Sequence, residues 1–259
     1  MVVTVELDKV AVSSGIGVVL GDMKTQEGEA LDANERRAIE LALNYIKRVY
    51  ARISPKLAML FDTHKQFVLS AASVYKRKAL KANVAADFDF PPKLGRLAVA
   101  PIAPQLIRYV ATPSATDPAY SDYALNSFTV TFGSAGDTKY LFGSDANYWK
   151  GLSETKGPIM HVVFEDGLIE IGTSPKVDQI YIEFDGWNML GTFFQPEAVK
   201  LPIEESKPVY QYTHPAFVTI PDRGIKVAVL GEVAGDSILV PVGVTFYFVD
   251  KFKTLTWIS

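Results

Sequence analysis

The 259 residues include no cysteine, only three histidines and no long apolar run. Without thiols, a disulfide scaffold, a thiolate nucleophile and any zinc site built on Cys ligands are excluded. Even the run Ile238 to Val244 falls short of the roughly 18 to 20 residues that span a bilayer, and it contains Pro and Gly. That predicts a chain, or part of an assembly, that stays in water. Residues Met1 to Asp8 alternate apolar and polar, lack the basic and apolar regions of a secretory leader, and read as a strand. Familiar catalytic motifs are missing too: there is no Gly-rich loop ending in Gly-Lys-Ser/Thr and no Gly-x-Ser-x-Gly elbow. Gly15-Ile16-Gly17-Val18-Val19-Leu20-Gly21 looks like a dinucleotide fingerprint, but its last spacing is one residue too long and no helix follows. Residues 1–32 therefore read as an N-terminal arm or hairpin.

Charge of one sign is scarce only in the total. The chain has 29 acidic and 26 basic side chains, a net of −3. Residues 33–85 hold eleven basic groups against Glu35, Glu40 and Asp62, a net of eight positive charges, which leaves eleven negative on the remainder. A near-neutral sum thus conceals a basic segment in an acidic protein.

That segment is also the one with a helical period. Ile39, Leu43, Ile46, Val49, Tyr50 and Ile53 recur at three-and-four spacing, which predicts a helix over 33–53. Asp32 is a suitable N-cap, and Glu35 three residues on completes a capping-box-like pattern. Ser54-Pro55 supplies a stop and a fresh start, because Pro disfavours helix before it yet fits the first helical position. A second helix would carry Leu57, Leu60, Phe61, His64, Phe67, Val68, Ala71, Val74 and Tyr75 on its apolar side and fade near Asn83. The cluster Lys76, Arg77, Lys78 and Lys81 would then sit in its last turns, where the helix dipole favours positive charge. With Arg36, Arg37, Lys47, Arg48 and Arg52 it also forms a candidate face toward phosphate, a nucleic-acid backbone or anionic lipid. Aromatic interleaving is thin, so any nucleic-acid contact would be non-specific.

From Arg96 onward the period changes to two, with β-branched and aromatic runs bounded by Gly, Pro, Asp and Ser. In this region the first predicted strand starts at Leu106. Glu165-Asp166-Gly167 and Pro221-Asp222-Arg223-Gly224 read as hairpin turns. No intervening helical stretch is long enough for a parallel crossover. The prediction is therefore mainly β: an antiparallel, jelly-roll-like β-sandwich over 96–259, preceded by two amphipathic helices. Two long loops, 112–126 and 143–157, are expected to cover or contact something. The second holds Tyr148 and Trp149, candidates for an interface between subunits.

The remaining chemistry is sparse. His64, His161 and His214 share no short metal-binding spacing, and Glu165-Asp166 and Glu204-Glu205 are adjacent in chain, which turns their side chains apart or leaves them solvated. No metal or cofactor is expected. His161-Val162-Val163-Phe164-Glu165 offers one histidine and a turn glutamate, part of what a cupin-like enzyme would need, with His214 as its third group.

An N-terminal arm, basic helices and strands from Leu106 to the closing run Ile238 to Val249 together resemble the single jelly-roll capsid proteins of icosahedral viruses. The resemblance implies a non-enzymatic capsid subunit that self-assembles into a virion shell in the host cytoplasm. Its partners would be itself and other virion proteins, with the basic segment toward genome or an inner membrane and no small-molecule substrate. An alternative is a glycan- or protein-binding module of a phage tail, fibre or adhesin, with Tyr120, Tyr123, Tyr148, Trp149 and Trp187 as stacking groups.

Overall fold

The computed structural model describes residues 31, 33–85, 95–102, 108–112, 119–122, 128–143, 152–153, 157–184, 193–204, 207–220 and 224–250. Within them the protein is mainly β, with antiparallel sheets and N-terminal helices. The helices are α1 (Ala33–Ala51), α2 (Pro55–Thr63) and α3 (Lys65–Ala85). The strands begin with β1 (Gly95–Pro101), β2 (Arg108–Thr112), β3 (Ala119–Asp122), β4 (Thr129–Phe132), β5 (Thr138–Phe142) and β6 (Leu152–Ser153). They continue with β7 (Gly157–Ile171), β8 (Val177–Phe184), β9 (Ala198–Lys200), β10 (Val209–Tyr212), β11 (Phe217–Val218), β12 (Ile225–Gly231) and β13 (Gly235–Asp250).

Helix α1 buries Ile39, Leu43, Ile46 and Tyr50 along the expected stripe. Ser54 caps α2 as anticipated: its backbone is extended, its hydroxyl accepts from the Lys56 N–H at 3.3 Å, and Pro55 occupies the first helical position. The single second helix predicted from Pro55 onward is instead two, α2 and α3, separated at His64. Its ring lies nearly parallel on Phe164, with centroids 5.0 Å apart, and its N–H still bonds back to the Leu60 carbonyl at 2.9 Å. Packing against the sheet bends the chain where the periodicity alone runs on.

One sheet has the order β1-β13-β7-β10-β9, with β4 also on β13 and β6 and β11 also on β7. A smaller sheet has the order β5-β12-β8, and β2 and β3 form a ribbon. Helices and small sheet cover opposite faces of the large one. Toward the helices, Phe246 stacks on Tyr75 and Phe164 meets Phe61 edge-on at 4.8 Å. Toward the small sheet, Phe217 meets Phe142 at 5.0 Å, and His161, one position from Met160 and the partner of Thr245, also approaches it. The large sheet's centre is therefore dry on both sides. This explains why Leu97 to Ala100, absent from the predicted strands, form β1: all four are buried, so the run has no polar alternation to signal a strand.

Both predicted hairpins are corrected. Glu165-Asp166-Gly167 does not reverse the chain. Residues on each side pair with the same strand: Val163 opposes Gly243, Leu168 opposes Pro241, and only Val242 faces the four residues between. The segment is a wide bulge in one continuous β7. Asp166 adopts φ 58°, and a β-carbon on Gly167 would lie 2.6 Å from both the Phe164 and Val242 carbonyl oxygens. Gly224, likewise, does not close a hairpin, because β11 pairs with β7 in the large sheet while β12 belongs to the small one. Chain passages at that point and between β4 and β5, β7 and β8, and β12 and β13 carry it from one sheet to the other.

Candidate anion-facing surface

The predicted basic residues divide into two groups. Lys76 does not face solvent. Its side chain, 4% exposed, donates to both carboxylate oxygens of Glu35, 3% exposed, at 2.9 and 3.1 Å. Glu35, read from sequence as a capping-box partner, thus spends its charge on the seam between α1 and α3; Asp32 lies outside the described residues. Lys47 pairs with Asp62 across α1 and α2, and Lys65 with Glu40 at 3.0 Å across α1 and α3. All three acids of the segment therefore neutralise a lysine between helices.

Arg36, Arg37, Arg48, Arg52 and Arg77 are the second group. They are exposed, and none forms an ion pair among the described residues. Lys78 is half-buried, and Lys81 belongs to α3 with its side chain outside those described. Arg37 and Arg48 stand opposite the buried stripe of α1, in line with Leu41 and Asn44 at spacings of three and four. Once the acids are spent internally, the cations left outward are mostly arginines, which hold their charge at any physiological pH and fork onto phosphate or carboxylate.

Other polar groups in the described core hold strands together. His161 is buried; its Nδ1 lies 2.7 Å from Thr245 Oγ1, and the Thr219 hydroxyl accepts from its backbone N–H at 2.6 Å. Glu170, also buried, accepts from Tyr212, from Ser237 at 2.6 Å and from the Lys176 N–H at 2.9 Å, pinning the turn between β7 and β8. Burial first, and then the bond to Glu170, pushes the Tyr212 phenol well above its ordinary value. Sequence reasoning missed this knot, because nothing local marks Glu170 as inward.

His214 is exposed on the bulge, its Nδ1 3.8 Å from Glu165, and its N–H donates to Asp166 at 3.2 Å. His161, by contrast, is turned to the small sheet. The His161, His214 and Glu165 set expected of a cupin-like site is not gathered, and no group of three His, Asp or Glu suited to a metal occurs among the described residues. Tyr123, Tyr148, Trp149 and Trp187 lie outside the described residues; Tyr120 belongs to β3, its side chain outside those described. Comparison with known protein families, curated proteins and solved structures found no match to this chain.

Proposed function

We propose that this chain is a structural subunit that assembles with copies of itself, and with other virion proteins, into a capsid shell. Its β layers would be arranged as a jelly roll, and its helical layer would lie on the inner, anionic side. One observation carries the reading: charge is sorted by layer, with arginines that form no ion pair among the described residues outward on helices that cover one face of an otherwise acidic β-sandwich-like body. Such a body suits a shell, which needs rigid, shape-specific surfaces rather than reacting groups. Passages between the sheets at several corners support the jelly-roll form.

Electron microscopy and light scattering of the purified chain across a concentration series test this. Particles or capsomers that grow with concentration are expected. Monodisperse monomer at every salt and pH, with nucleic acid or anionic vesicles present, would overturn it.

A further inference from the structure

The arginines do not stand alone on the outer helical surface. Among the described residues, five large apolar side chains are exposed, and three belong to the helices: Leu41 at 57%, Met59 at 63% and Phe67 at 46%. Each helix contributes one of them. Opposite its buried side, α1 sets Leu41 between Arg37 and Arg48, α2 sets Met59 one turn from Lys56, and α3 sets Phe67 on the side that continues to Arg77. No acid stands on these outermost positions; Glu40 and Asp62 lie at the flanks, tied to Lys65 and Lys47. Those two pairs also draw the helices side by side, so Leu41 adjoins the Glu40–Lys65 pair and Met59 lies one turn from the Asp62–Lys47 pair.

We infer that this surface docks on the headgroup layer of an anionic lipid bilayer. The inference rests on the shell reading only for which side the helices occupy, and it names the inner partner as lipid rather than genome. Charge complementarity requires an anionic partner, and the apolar side chains decide which one. A nucleic-acid backbone is bound by cations, and stacking on bases needs exposed aromatic rings, of which the described helices present Phe67, with Tyr45 half-buried at the flank of α1. Leu and Met gain nothing there. At a bilayer the same pattern is complementary throughout, with arginines at the phosphates and Leu41, Met59 and Phe67 reaching the acyl boundary. No described helix is long and apolar enough to cross a membrane, so the mode is docking at the surface.

The test is co-sedimentation of the full chain with phosphatidylcholine vesicles containing about one-quarter phosphatidylserine, with pure phosphatidylcholine vesicles and duplex DNA as comparisons. Expected is binding to the anionic vesicles that weakens with salt, falls about fivefold for each of Arg37→Gln, Arg48→Gln and Arg77→Gln, and falls more than about tenfold in the triple variant Leu41→Ser, Met59→Ser, Phe67→Ser. DNA binding, if any, should be indifferent to that triple variant. All six positions are exposed, so the variants should keep the parent's unfolding midpoint. Absence of vesicle binding, or vesicle binding that the apolar triple variant leaves unchanged, overturns the inference. So does a triple variant that loses assembly in lipid-free buffer, since the surface would then be a contact between copies. Assembly without lipid, read by light scattering, stands or falls separately and reports on the shell reading alone.

Discussion

Gly243 has no room for a β-carbon, which would lie 1.8 Å from the Val162 carbonyl oxygen and 2.9 Å from its carbon. Those are backbone atoms of the paired strand and cannot swing aside. Gly243→Ala must push β13 off β7 beside the bulge, and the expected loss is about 3 kcal/mol or more, measured by denaturant unfolding. Gly136 supplies the contrast. It is exposed at φ +81° with nothing near its missing β-carbon, so alanine there meets only backbone strain, about 1 kcal/mol. Two glycines of one chain thus serve opposite needs, proximity in the first and a left-handed turn in the second.

At the scale of elements, the pair of Glu35 and Lys76 clamps α1 to α3. Lys76→Met alone should cost about 3 to 5 kcal/mol, because it leaves a carboxylate buried without its cation, whereas Glu35→Leu with Lys76→Met should recover most of the loss. A double-mutant cycle on unfolding free energies checks this. The helices were readable in sequence because each has one wet side, and the three-and-four pattern survives. The bulge and β1 were not. Before the bulge, odd-numbered residues of β7, such as His161, face the small sheet; beyond it the even-numbered Glu170 lies on the side that receives Lys176 and Tyr212. An alternation that changes phase inside one strand reads as two strands and a turn. Of the basic surface, spacing located the arginines, but the loss of Lys76 to the interior depended on Glu35, forty-one positions away in the chain.

For the molecule as a whole, buried phenols set an alkaline limit. Burial pushes Tyr247 up to about 12 and raises Tyr50 and Tyr75 above the ordinary value near 10; Tyr181, bonded first of all to Glu183, also reaches about 12. Below pH 10 both folded and unfolded chains keep these protons. Above it the unfolded chain releases them while the fold retains them, so stability present up to pH 10 is lost as pH rises toward 12. Denaturant midpoints taken across that window should fall steeply. Tyr50→Phe should flatten the fall, and at neutral pH it should stabilise by about 1 kcal/mol, because the buried Tyr50 hydroxyl has no hydrogen-bond partner among the described residues.

Strand β13 has a consequence in time. It is the shared partner of β1, β4 and β7, and it follows all of them in the chain. A ribosome therefore delivers three strands of the large sheet before the one that joins them. Until β13 emerges, β1 lacks the strand it pairs with and β7 is closed only along the edge that takes β10 and β11, so the growing chain depends on the helices, or on a chaperone, to cover the open edge.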